Sequence, residues 1–200
     1  MIPPDSRIAR EEPMNSKDGA LRKTLLRANL LPTRSALKDA DREAATSKIG
    51  AQVLQWARHR DIKTLAVYSP IRGEPDLTAT WSALADAGIE LALPIVVADD
   101  APLEFVGWHP GQPMIRDRYG ISVPAQPRQS ANPTTMLIPC LGFTAQRLRL
   151  GYGGGFYDRT LAAFPLANTV GIAFDCCRVS FDAQVHDIAL QAIITESGIY

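Results

Sequence analysis

Thr64-Leu65-Ala66-Val67-Tyr68-Ser69-Pro70 is a short apolar run, rich in β-branched and aromatic side chains and closed by Ser-Pro. Its length and make-up are those of a strand buried on both faces. Residues 76–87 follow with Leu77, Trp81 and Leu84 at helical spacing and stop at Gly88. Glu90-Leu91-Ala92-Leu93-Pro94 then gives a second strand. Strand, helix, strand is the repeating unit of a parallel sheet, because parallel neighbours need a crossover connection.

The same alternation extends outward in both directions. Residues 18–31 read as a helix through Leu21, Leu25, Leu26 and Leu30, and Pro32 is expected to end it. Residues 36–59 read as a second helix with Ala44, Ala45, Ile49, Val53 and Trp56 on one side. Downstream, Leu103–Trp108, Thr135–Pro139, Thr169–Phe174 and Gln191–Thr195 read as strands, and Phe156–Phe164 as a helix. The segment from Pro110 to Pro133 is loop-rich, either a flap or a long connection. No internal repeat or clean linker interrupts the chain. The expectation is a single-domain α/β fold over residues 16–200, with an open, mostly parallel sheet flanked by helices in a Rossmann-like three-layer arrangement. Residues 1–15 are expected to form a flexible tail.

Composition bounds the function. The chain has 200 residues, 46% hydrophobic and 21% charged, with 21 basic and 21 acidic side chains. A net charge of zero argues against a nucleic-acid binder or a polyanionic tail. No run of about 18 apolar residues exists to span a membrane, and the N-terminal segment lacks the apolar core of a secretory signal. Three cysteines, Cys140, Cys176 and Cys177, fit neither a disulfide framework nor a zinc spacing. A cytoplasmic location is expected. The neutrality hides two bands: residues 15–60 carry ten basic and four acidic side chains, and residues 61–110 two basic and eight acidic. Part of the basic band can face an anionic ligand; solvated helix faces account for the rest.

Arg149-Leu150-Gly151-Tyr152-Gly153-Gly154-Gly155-Phe156-Tyr157-Asp158-Arg159 carries the chemistry. Glycines let backbone N–H groups converge on a ligand, and the helix that opens at Phe156 adds a partial positive charge. Together these suit a phosphate. Arg149 can fork onto phosphate oxygens, and Asp158 supplies a hard oxygen suited to Mg²⁺ beside a nucleotide. The competing explanation is a glycine loop chosen for tight packing. A Walker A loop is excluded, because no Gly-Lys-Ser/Thr ends the run. A dinucleotide fingerprint is disfavoured: its sixth position, Phe156, is not glycine, and the strand expected before the loop ends near Pro139.

The run strongly resembles the signature of the 5-formyltetrahydrofolate cyclo-ligase (5,10-methenyltetrahydrofolate synthetase) family. Ile138-Pro139-Cys140-Leu141-Gly142-Phe143 resembles the family's strand leading into it. Val67-Tyr68-Ser69-Pro70-Ile71-Arg72-Gly73-Glu74 resembles its substrate segment. Leu21-Arg22-Lys23, Leu93-Pro94, Tyr119-Gly120-Ile121 and Asp187 through Ile193-Ile194-Thr195-Glu196 follow in the same order, so the likeness spans residues 17–197. It implies an ATP- and Mg²⁺-dependent closure of 5-formyltetrahydrofolate to 5,10-methenyltetrahydrofolate, with ADP and phosphate released. Independently of the resemblance, no nucleic-acid or membrane partner is expected from the neutral charge and the lack of a long apolar run, and a monomer is expected.

The resemblance also implies roles. Arg149, Leu150, Gly151, Tyr152, Gly153, Gly154, Gly155 and Phe156 would cradle the nucleotide. Arg149 and Tyr157 would act on the reacting groups, and Asp158 and Asp187 would bind Mg²⁺. Arg22, with Lys17 or Lys23, would reach the phosphates from the first helix. Glu74 would recognise the pterin edge, with Tyr68, Ser69, Phe105 and Tyr119 lining its pocket. The chain departs from the pattern in places. The family commonly has Lys-x-x-x-Arg on the first helix, and the residue four before Arg22 is Asp18. Gly154 stands where some members have lysine, Thr144 where an acid is frequent, and Arg147 where glycine is frequent. Two other readings remain open on sequence alone: a binding protein without turnover, and an ATP-dependent enzyme for another pterin or a thiamin-related compound.

Overall fold

The computed structural model describes residues 16–127, 129–165 and 168–200. The expected tail, 1–15, lies outside them. Helix α1 (Ser16–Ser35) and helix α2 (Asp39–Arg58) lead into strand β1 (Thr64–Ala66), helix α3 (Thr78–Asp86), β2 (Glu90–Ile95) and β3 (Glu104–Trp108). A hairpin of β4 (Met114–Arg116) and β5 (Ser122–Pro124) follows, then β6 (Thr135–Pro139), β7 (Gly142–Phe143), β8 (Arg149–Leu150) and helix α4 (Phe156–Ala163). The chain ends through β9 (Asn168–Ile172), a single 3₁₀ turn (Asp175–Cys177) and β10 (Ala192–Ile194).

The six-stranded sheet has the order β10-β9-β6-β1-β2-β3. All neighbours are parallel except β2 and β3. The mostly parallel α/β expectation is therefore met, with one antiparallel edge strand. Strand side chains alternate between two faces. Leu65, Leu137, Val170, Ile172 and Ile194 pack with Leu30, Ile49, Val53 and Trp81 of α1, α2 and α3. Ala66, Met136, Ile138 and Ile193 pack with Leu161 of α4, Leu103 and Leu190. Helices thus cover both faces.

Chain order reverses between β1 and β6. From β1 the sheet grows through β2 and β3 on one side and through β6, β9 and β10 on the other. Such a reversal opens a crevice at the carboxyl ends of the two strands, the usual ligand position in an open α/β sheet. Tyr68 and Ser69 beyond β1 and Pro139 at the end of β6 line a cleft there.

Two local expectations are corrected, and a third segment is resolved. Pro32 does not end the first helix; α1 runs to Ser35, and the Ala36 N–H still donates to the Pro32 carbonyl at 2.8 Å. A proline costs its helix the bond to the carbonyl four residues back. Burial of Leu30 and Arg34 on either side of it offsets that loss. The 110–133 segment is loop-rich as expected, with β4 and β5 forming an antiparallel pair within it. A two-residue strand, β8, does run directly into the glycine loop. It pairs antiparallel with β7 outside the main sheet, so the strand-to-loop geometry of a dinucleotide fold is still missing.

Candidate active site

The cleft has a volume of about 890 Å³. The glycine loop forms one wall, from Arg149 and Leu150 through Gly151, Tyr152, Gly153, Gly154 and Gly155 to Phe156, Tyr157 and Asp158. Gly153 and Gly155 have φ of 98° and 68°, left-handed values that disfavour any side chain. Gly155 is the N-cap of α4, so the loop turns over immediately before the helix terminus. Two arginines hold its carbonyls: Arg27 Nε donates to Gly151 O at 2.8 Å, and Arg159 Nη2 to Gly154 O at 2.9 Å.

Arg149 is buried at the cleft's floor. Its Nη2 donates to Asp158 Oδ1 at 2.6 Å, its guanidinium lies 5.4 Å from the centre of the Tyr157 ring, and its Nε has no hydrogen-bond partner among the described residues. Burial, with Glu74 nearby, pushes the Tyr157 hydroxyl well above its ordinary range, so it remains a neutral donor at physiological pH. Burial also lowers the Arg27 guanidinium, against a pull upward from Asp158.

The opposite wall is the segment after β1. Glu74 is 4% exposed. Its Oε2 accepts the Ile71 N–H at 3.0 Å and its Oε1 the Tyr152 hydroxyl at 2.7 Å. Burial pushes its carboxyl up to about 6, and these two bonds with Arg34 and Arg72 oppose that rise. Tyr68 is buried, its hydroxyl donating to Pro75 O at 2.8 Å. Ser69 Oγ donates to Ser122 O at 2.6 Å, tying the segment to the β4–β5 hairpin. The hairpin closes the cleft with Arg116, Asp117, Tyr119, Gly120 and Ile121. The Tyr119 ring meets Phe156 edge-on at 5.7 Å, and its hydroxyl donates to Asp99.

Lys23 of α1 completes the site. Its Nζ donates to Asp187 Oδ1 and Oδ2 at 2.6 and 2.5 Å, and both side chains are about nine-tenths buried. Asp158 and Asp187 both line the cleft, each beside one cation. Among the described residues no group of three or more His, Cys, Asp and Glu side chains could hold a metal. Two carboxylates next to a phosphate cradle are nevertheless the donor set Mg²⁺ uses, since it takes one or two protein oxygens, substrate phosphates and water. The residues fit a phosphate-borne Mg²⁺ and not a closed protein cage.

The fold gathers most of the sequence candidates into one cleft, but not all. Arg22 is exposed and donates to Ser180 O at 3.1 Å, and neither it nor Lys17 lines the cleft. One helix position turns a side chain by about 100°, so Lys23 faces the cleft where Arg22 cannot. Phe105 is no wall of the pocket. It is buried in the sheet core, its ring 6.2 Å from that of Phe164, and its neighbour Leu103 reaches the cleft instead. Sequence reading missed Arg27, Arg72, Arg116 and His186, which line the cleft, and Arg34, which stands behind it. The i,i+4 spacing of Lys23 and Arg27 was the available signal for the first, because it puts both on one helix stripe.

Comparison with known proteins gives the family. The family model described as the 5-formyltetrahydrofolate cyclo-ligase family matches residues 20–196. A 5-formyltetrahydrofolate cyclo-ligase of Mycolicibacterium smegmatis is 29% identical, over 86% of this chain and 93% of its own length. That of Escherichia coli K12 is 32% identical, over 68% of this chain and 80% of its own. The solved structure of a 5,10-methenyltetrahydrofolate synthetase from Mycoplasma pneumoniae superposes with a TM-score of 0.74 at 26% identity, covering 87% of this chain and 98% of that one. The chain belongs to the 5-formyltetrahydrofolate cyclo-ligase family.

Proposed function

We propose that the protein converts 5-formyltetrahydrofolate and ATP to 5,10-methenyltetrahydrofolate, ADP and phosphate. The observation that carries this reading is a single cleft with a buried carboxylate, Glu74, on one wall and an arginine-flanked glycine loop on the other. A carboxylate accepts paired N–H groups from an aminopyrimidinone edge, and a glycine loop at a helix N-terminus takes phosphates.

The chemistry asks little of the protein beyond placement and charge. The formyl oxygen of an N-formyl group leaves poorly. Transfer of the γ-phosphoryl group to that oxygen releases ADP and makes phosphate the leaving group. N10 of the same substrate then attacks the activated carbon, loses its proton, and phosphate departs. Holding the two reactants in line supplies much of the acceleration. Glu74 and the walls around Tyr68, Ser69 and Tyr119 orient the folate. The loop N–H groups, Arg149 and Arg27 hold the triphosphate and stabilise charge as it moves to the leaving oxygens. Tyr157, a neutral hydroxyl over Arg149, donates to an oxygen at the reacting centre. Asp158 and Asp187 would hold Mg²⁺, which when bound neutralises phosphate charge. In this reading the enzyme is a single-domain monomer of the cytoplasm.

The test is direct. Purified protein with 5-formyltetrahydrofolate and Mg-ATP should give the near-ultraviolet absorption of the methenyl product, and omission of ATP should abolish it. Well-folded protein that gives no ATP-dependent signal would sink the proposal. Asp158→Ala should lose activity and its dependence on Mg²⁺ concentration. Full activity across that titration would remove Asp158 from the metal site.

A further inference from the structure

Arg34 is a buried charge that the reaction as described does not use. It sits in the last turn of α1 at 1% exposure. Its Nη2 donates to Arg72 O and to the Tyr152 hydroxyl, both at 2.6 Å, and the Tyr152 hydroxyl donates onward to Glu74 Oε1 at 2.7 Å. Arg34 Nε and Nη1 have no hydrogen-bond partner among the described residues, so this one nitrogen carries its polar contacts.

With Glu74 ionised, elementary chemistry fixes the direction of every bond in this chain. A guanidinium has N–H donors and no acceptor, so the Tyr152 oxygen must accept from it. A hydroxyl has one proton, and with Arg34 behind it that proton points at Glu74. The Ile71 N–H can only donate, and it faces the other oxygen of Glu74 at 3.0 Å. Both carboxylate oxygens therefore look at donors. Protonating Glu74 would aim an O–H at one of them.

We propose that Arg34, acting through Tyr152, is a positioning residue that holds Glu74 as a hydrogen-bond acceptor on both oxygens toward the substrate's ring edge. This rests on Glu74 being the carboxylate that meets that edge. Without the chain, burial alone would favour the neutral acid, which presents a donor where the substrate also presents donors. Arg72, on Glu74's own segment, is the other cation acting on it. Tyr68 after β1, Cys140 after β6 and Tyr157 in α4 also feel its charge. Burial holds all three neutral, the Cys140 thiol pushed up to about 12. None of them can replace Arg34. The chain also joins the two halves of the site, since Tyr152 belongs to the glycine loop and Glu74 to the opposite wall.

The experiment measures Glu74 directly, by carbon-13 NMR of its side-chain carboxyl in ligand-free protein across pH. Tyr152→Phe removes one oxygen atom and should raise the Glu74 pKa by about half to one unit. Arg34→Met should raise it similarly in the wild-type background and by at most half as much in the Tyr152→Phe background. Arg34→Lys, which keeps the charge, serves the same comparison if the methionine variant does not fold. An unmoved Glu74 in Tyr152→Phe, or an Arg34 effect of equal size in both backgrounds, would overturn the proposal. In parallel, the acid limb of kcat/KM for 5-formyltetrahydrofolate should move up with the carboxyl. A carboxyl that moves under an acid limb that does not would uphold the bond directions and instead remove Glu74 from ring recognition.

Discussion

Replacing Lys23 by Met should destabilise the protein by about 3 kcal/mol, and the loss should be repaired in part by a second substitution at Asp187. The ammonium donates to both oxygens of Asp187 at 2.5–2.6 Å, and the two side chains are 9% and 10% exposed. Removing one partner of a buried ion pair leaves the other charge without compensation, at a cost of about 3–5 kcal/mol. The lower end applies here because Asp187 still accepts the Gln184 N–H at 2.8 Å and borders the cleft. For a domain of this size that is a fall in Tm of roughly 6–12 °C. Asp187→Asn alone should cost only about 1–2 kcal/mol, since a long lysine side chain can swing its head to water. The double variant should be more stable than the two losses predict when added, by about 2 kcal/mol. Urea and thermal unfolding in chelator-treated buffer measure all four proteins. Additivity within about 0.5 kcal/mol would show that the pair is not coupled and refute the reasoning. Millimolar Mg²⁺ should restore more stability to Lys23→Met than to the double variant, because only the former keeps the bare carboxylate.

Three further outcomes can be checked. Gly155→Ala forces a side chain into φ 68° and sets its Cβ 2.6 Å from Arg159 Nη1. A left-handed non-glycine residue costs about 1–2 kcal/mol, so KM for ATP should rise about tenfold with little change for the folate, and equal losses for both would contradict the loop's assignment to the nucleotide. Glu74 carries a carboxyl raised from 4.5 to about 6. The native state therefore holds its proton more tightly than the unfolded chain, no penalty exists below pH 4.5, and about 2 kcal/mol is lost as pH rises past 6. The stability of wild type relative to Glu74→Gln should fall by that amount between pH 4 and 7, and a flat difference would disprove the burial argument. Cys176 is exposed and its thiol is lowered to about 7, chiefly by a hydrogen bond from Cys177, 3.9 Å away. Iodoacetamide at neutral pH should label Cys176 before Cys140 or Cys177, and Cys177→Ala should shift that reactivity toward ordinary thiol pH.

The sheet was legible because its signals are local. Thr64–Ala66, Glu90–Ile95 and Thr135–Pro139 are short apolar runs with clear stops, and their parallel pairing follows from the helices between them. The glycine loop was legible for the same reason, being contiguous. What the sequence hid was orientation and tertiary rescue. Arg22, Lys23 and Arg27 lie within six positions, and only the register of α1 against the 3₁₀ turn and the cleft decides which of them face the site. Arg34 was hidden by Pro32: a helix expected to stop at residue 31 cannot bring a side chain three residues later into the core. Phe105 was assigned to the pocket on its aromatic character, yet in β3 its side chain is buried in the core against Phe164, and Leu103, two residues earlier on the same core face and just before the strand, is the one that reaches the cleft.

The arginine contacts on the glycine loop have a consequence for binding rates and affinity. Arg27 holds the carbonyl of Gly151 and Arg159 that of Gly154, so two peptide planes are turned before any ligand arrives. A free run of glycines would have to be ordered by its ligand, at about 1–2 kcal/mol of backbone entropy per residue. Here that ordering is done during folding, by side chains anchored in α1 and α4. In the proposed function, a phosphate would meet two peptide planes already turned, and less ordering would be left for binding to supply.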